Sequence, residues 1–106
     1  MKTINRFTGA VAVLAALGVL TAGQTAAAYT GQKLAGHAKV SMVQARAIAL
    51  KARPGAITDQ ELEKERGGSG LRYSFDIKSG ETTFEVGVDA KTGRVLQNSK
   101  EGSHPD

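Results

Sequence analysis

The sequence predicts an α+β domain: one N-terminal helix packed on a small antiparallel β-sheet of three to four strands in meander order, after a cleaved signal peptide. Three observations predict it. Apolar and polar residues alternate without a break through residues 71–77 and again through 84–89. An alanine-rich, amphipathic stretch over 42–53 lies upstream, between a capping signal and a Pro-Gly stop. A short apolar run follows two basic residues at the very start.

In chain order, Lys2 and Arg6 form a positive n-region and residues 11–20 an apolar h-region. Ala26, Ala27 and Ala28 offer small side chains at the positions a signal peptidase inspects, which places cleavage after Ala28. A retained membrane anchor is the weaker reading, because an apolar run of about ten to fourteen residues falls short of the roughly twenty that span a bilayer. Residues 1–28 are therefore read as the signal peptide. Residues 29–39 contain glycine and little pattern, and are expected to be a flexible lead-in.

Ser41 and Gln44 fit a capping box, the serine as N-cap and the glutamine reaching back from N3. Residues 42–53 are rich in alanine and unbranched side chains, which favour helix. Met42, Ala45, Ile48, Ala49 and Ala52 recur at i, i+3 and i+4 and form one stripe. Alanines on that stripe let the helix sit close to a sheet face built by Tyr73, Phe75, Phe84 and Val86. Val43, Ala47 and Leu50 make a second, weaker strip that either widens the buried face or is partly exposed. Pro54 and Gly55 end the helix.

Residues 56–66 are ambiguous. Thr58, Asp59, Gln60 and Glu61 followed by a charged run resemble a capped helix, yet only Ile57 and Leu62 are available to bury. As an edge strand, Asp59, Glu61, Glu63 and Glu65 line one face and Leu62 points to the other, a normal defence against edge-to-edge association. Local propensity leans to helix. Residues 67–70 are a flexible turn.

Strand side chains alternate faces. Leu71, Tyr73, Phe75 and Ile77 share one face with Phe84, Val86 and Val88 of the next strand, and Arg72, Ser74 and Asp76 lie on the other with Glu85, Gly87 and Asp89. The tight turn between them is Ser79-Gly80 or Gly80-Glu81, and both registers pair the apolar faces. Gly87 in mid-strand marks a bulge or a close approach by another backbone, a bulge being favoured. Residues 89–93 form a second turn, with Asp89 bonding the backbone ahead of it and Gly93 in the left-handed region. A short strand over 94–98 returns, and residues 99–106, without apolar side chains, are expected to be a disordered tail.

Composition excludes several functions. Removing 28 of the 106 residues leaves 78, one small domain, and there is no cysteine. Thiolate catalysis, redox exchange, thiolate metal sites and lipid attachment at a lipobox cysteine are thereby removed, and stability has to come from packing. The net charge of +4 falls to +2 without Lys2 and Arg6, with both signs interspersed along the chain, so there is no electrostatic footprint for nucleic acid. His37 and His104 lie at opposite ends and are expected to be solvated; neither has ligand partners in sequence. A serine nucleophile lacks a positioned histidine, and no Gly-rich loop opens a helix. No catalytic, cofactor-binding or metal-binding residues are assigned, and no cofactor is expected. The acidic row over 59–65 attracts hard cations, but neighbours on one strand face are about 6.5 to 7 Å apart, too far for four to wrap one ion. Residues 89–93 lack the alternating acidic ligands of a calcium loop and read as a structural turn.

Taken together, Ala45-x-x-Ile48-Ala49-Leu50, Pro54-Gly55, the alternating Tyr73-x-Phe75-x-Ile77 and the closing Val86-x-Val88-Asp89-Ala90-x-Thr92-Gly93-x-Val95-Leu96 resemble the PepSY domain family. The resemblance covers residues 40–98, and its ending is its most specific part. It implies one helix on a small antiparallel sheet, with the segment after Pro-Gly a strand, and so tips 57–65 from helix to strand. PepSY domains occur in propeptides of thermolysin-like metallopeptidases, in membrane proteins and as small exported proteins. The family is proposed to inhibit or regulate peptidases of the cell envelope, and it has no defined inhibitory motif to carry over.

The resemblance implies an exported, non-catalytic binding or regulatory module acting on an envelope peptidase in trans, with a protein partner. Periplasm is the expected location and secretion the alternative. Arg72, Asp76 and Glu85, on the polar face of the central hairpin, are the candidate partner-binding residues; the plainer reading is a solvated face with weak cross-strand pairs. The other functional class is a ligand- or ion-sensing accessory protein for a membrane sensor or permease.

Overall fold

The computed structural model describes residues 28–102. The signal-peptide reading and His104 fall outside that range. A 3-10 helix, Gln32–His37, leads into helix α1, Met42–Ala52. Four strands follow: β1 Ala56–Lys64, β2 Leu71–Ser79, β3 Thr82–Asp89 and β4 Val95–Lys100. They form one antiparallel sheet in the order β1-β2-β3-β4, and α1 covers one face. This is the predicted α+β meander, with four strands.

The helix begins where the sequence places it. Ser41 Oγ accepts from the Gln44 backbone N–H (3.1 Å) and Gln44 Oε1 from the Ser41 N–H (2.9 Å), a complete capping box. It stops at Arg53, whose N–H still reaches Ala49, because Pro54 follows. Ala45 and Ala49 are fully buried, so the helix backbone sits close to the sheet. Beneath it lie Leu62, Tyr73, Phe75, Ile77, Val86 and Val88. Met42, Ile48 and Leu50 pack partly on this core, whereas Val43 and Ala47 face solvent. At the helix C-terminus, the Arg53 guanidinium lies 3.7 Å from the centroid of the half-buried Phe84 ring and donates to Asn98 Oδ1.

Residues 56–64 form a strand. Ile57 and Leu62 find cover by pairing with Ile77 and Tyr73 of β2, and the buried Leu62 outweighs the local helical propensity. Lys78 pairs with Thr83 and Ser79 with Thr82, which makes Gly80-Glu81 the hairpin loop. The β3–β4 register shifts between Gly87 and Val88, a bulge that leaves Leu96 as the extra residue on β4.

Two ends differ from expectation. Residues 29–39 are folded onto the domain: Thr30 bridges to β1, accepting from the Leu62 N–H (2.9 Å), and Tyr29, Leu34 and Ala38 pack on the core. The backbone N–H groups of Lys39 and Val40 both donate to Ala90 O. The signal was absent from periodicity because this segment is held by single backbone bonds and scattered side chains. At the other end, Ser99 and Lys100 belong to β4, and the Glu101 N–H donates to Thr83 O. Backbone pairing there requires no apolar side chain.

Candidate functional site

With α1 on one side, the other face of the sheet is open and polar. Alternation places Glu61 and Glu63 of β1, Arg72, Ser74 and Asp76 of β2, Glu85 of β3 and Gln97 of β4 on it. Together they line a shallow concavity of about 180 Å³.

The three candidate residues do not form one constellation. Asp76 and Glu85 stand directly opposite each other on β2 and β3. They are like charges, so the expected favourable cross-strand pair is missing at this position. With Glu101, their carboxylate oxygens lie within 4.8 Å of one another. Burial raises the Asp76 pKa, and Glu101, Asp59 and Glu85 raise it further. Glu61 is raised in the same way, by burial first and then by Glu63, Asp59 and Asp76. The acidic row seen in the sequence thus merges with Asp76 and Glu85 into one acidic field. Glu101 was missed because it was assigned to the tail.

Arg72 is four residues from Asp76 on the same strand, about 13 Å away, and it is buried at 9% exposure rather than solvated. Its Nη2 donates to Arg66 O (3.0 Å) and its Nη1 makes a long contact to Gln97 Oε1 (3.4 Å). The buried Nε has no acceptor. The side chain lies across Gly87, where an added Cβ would meet Nη1 at 3.0 Å. A side chain, not another backbone, makes the close approach at that glycine, and it does so beside the bulge. The Gln97 amide continues the network to Glu85 Oε1 (3.1 Å), and Ser74 Oγ donates to Glu63 Oε2 (2.7 Å).

Asp89, at the end of β3, has a structural task. Its carboxylate accepts from the Ser69 N–H and Oγ–H and from the Lys91 and Thr92 N–H groups. Burial alone would push its pKa up; the four donors outweigh that and hold it down to about 2. The turn closes with Gly93 at φ 83°, its N–H on Asp89 O. These carboxylate oxygens are taken by protein donors, as a structural turn requires. His37, the histidine among the described residues, is exposed at the end of the 3-10 helix.

The chain folds as one helix on a four-strand meander with an open polar face. A family model described as "PepSY: Peptidase propeptide and YPEB domain" matches residues 39–97, from the helix cap through β4, and the chain belongs to that family. PepSY domains are associated with peptidase propeptides and inhibitors and occur in exported proteins. No curated protein and no solved structure matches the chain. Among the described residues, no helix is long and apolar enough to cross a membrane.

Proposed function

We propose that the protein is an exported, non-catalytic regulatory module that binds a cell-envelope peptidase in trans and restrains it, in the periplasm. The observation that carries this reading is the family match over 39–97, because it coincides with the folded unit of α1 and the meander. The open polar face supports it further, since the helix leaves that whole side of the sheet for a partner. Arg72, Asp76 and Glu85 are proposed as partner-binding residues in two roles. Asp76 and Glu85 meet the partner directly, and Arg72 lines the other end of the same concavity, about 13 Å along β2.

The test is a cross-linked pull-down from the cell envelope with identification by mass spectrometry, followed by an assay of any captured peptidase with the purified protein added. Inhibition that rises with protein concentration is the expected result. Capture of a sensor or permease with no peptidase would overturn the reading. A melting temperature raised by calcium would then favour the ion-sensing accessory role, for which the convergence of Asp76, Glu85 and Glu101 is the pertinent observation.

A further inference from the structure

Processing and folding meet at one bond. The small side chains at 26–28 mark the Ala28–Tyr29 bond for signal-peptide removal, and the fold pins the chain from the next residue onward. Tyr29 is half-buried on the core, and its carbonyl accepts from the Gln32 N–H (3.2 Å), which closes a turn over residues 29–32. The Thr30 carbonyl accepts from the Leu62 N–H of β1 (2.9 Å). Gly31 takes its left-handed φ of 85° directly against β1, and its carbonyl accepts from the Leu34 N–H (2.8 Å). The three consecutive carbonyls that follow the bond thus have partners inside the domain.

The surroundings of the bond add to this. Thr30 bridges to Glu61 in parallel, so the chain enters Thr30 running in the direction of β1. Ala28 and Tyr29 lie in a cleft of about 400 Å³ beside Thr58, Asp59 and Gln60. Arg46 of α1, which donates to Gln60 Oε1, lines the same cleft. Ala28 is exposed, so the shielding falls on the C-terminal side of the bond.

A peptidase reads the residues that flank its scissile bond as an extended strand, through main-chain hydrogen bonds. A chain that turns at once, and gives its carbonyls to β1 and to its own 3-10 helix, cannot be read that way. Cleavage of the folded chain then requires the lead-in to lift off, and its rate follows the population of that open state.

We propose that docking of residues 29–39 closes the signal-peptide cleavage site, so that removal precedes docking and a chain that docks first keeps its signal peptide. This order rests on the proposed export and adds to it a deadline set by the domain's own fold.

The test uses the full 106-residue chain, made without export and purified in urea, and a signal peptidase in detergent micelles. One sample meets the enzyme directly on dilution from urea. The other is refolded first, with amide exchange confirming the β2–β3 pairing. Intact mass measures the product that begins at Tyr29. The refolded chain should be cut at least about tenfold more slowly than the chain diluted from urea. Gly31→Ala, which loosens the lead-in from β1, should bring the refolded chain to within about threefold of the unfolded rate. Leu34→Ala, which removes one contact of the lead-in with the core and no backbone conformation, should lie between the two. Lys51→Gln on the helix should leave the ratio unchanged.

Equal rates for refolded and unfolded wild type overturn the proposal, as does a refolded Leu34→Ala chain cut no faster than refolded wild type. The two readings fail separately. Product beginning at Tyr29 that forms equally from both samples removes only the order of events. A chain cut after Ala28 in neither sample removes the proposed export as well.

Discussion

Asp89 shows how one residue can hold two loops. Its carboxylate ties Ser69, before β2, to Lys91 and Thr92, after β3. The folded pKa is depressed from 3.8 to about 2. The stability it contributes is thus fully present above 3.8 and is lost as pH falls through the folded value. The difference is worth about 2 kcal/mol. Asp89→Asn, which turns an NH₂ toward backbone donors, should lower the melting temperature by about 10 °C and flatten the acid limb between pH 3.8 and 2. Thermal melts across that range check both. The bond from Asp89 to the backbone ahead was legible because it spans two or three residues, as was the Ser41–Gln44 box. Ser69, twenty residues away, was not. Nor was the burial of Arg72: alternation assigns a face, whereas exposure on that face depends on Arg66, Gly87 and Gln97 folding over it.

At the scale of elements, the legible parts were those with a period. α1, β2 and β3 follow from spacing alone. β1 does not, because its propensity and its pairing disagree; burial of Leu62 against Tyr73 decides, and only the family resemblance anticipated it. The lead-in before α1 carried no periodic signal, yet it lies against β1 as closely as a backbone can. Gly31 has φ 85°, and a Cβ there would fall 1.8 Å from Leu62 O. Gly31→Ala should therefore detach the lead-in while leaving the meander paired. Amide hydrogen exchange provides the check: the Leu62 N–H, which donates to Thr30 O, should exchange at least about tenfold faster, and the β2–β3 amides should be little changed.

Across the whole molecule, composition concealed the acidic cluster on the open face of the sheet. A net charge of +4 is compatible with mixed faces or with segregated ones, and the sheet register shows where the acidic groups gather. The raised pKa values of Glu61 and Asp76 mean that the stability tied to their protonation is present below the ordinary values of 4.5 and 3.8 and lost as pH rises through the folded values. Asp89 acts in the opposite direction and at lower pH. Stability should accordingly rise as pH is lowered toward the ordinary carboxylate values of 4.5 and 3.8 and fall once Asp89 is protonated. Asp76→Asn should raise the melting temperature at pH 7 and reduce the gain on acidification, which calorimetry across the acid range would measure. A variant that is more stable yet binds its proposed partner less well would separate binding from folding in one protein.

The contacts of the lead-in also bear on when this domain can fold. Lys39 and Val40 bond Ala90, Tyr73 reaches back to Val40 O across 33 positions, and Arg53 meets Asn98 across 45. These particular contacts join residues far apart in sequence, so the lead-in and helix wait for distant residues before they gain these partners. During synthesis the helix has no finished surface to settle on until Ala90 has left the ribosome. The polypeptide consequently stays threadable through most of its production, which suits passage through a translocation pore on the proposed route out of the cytoplasm.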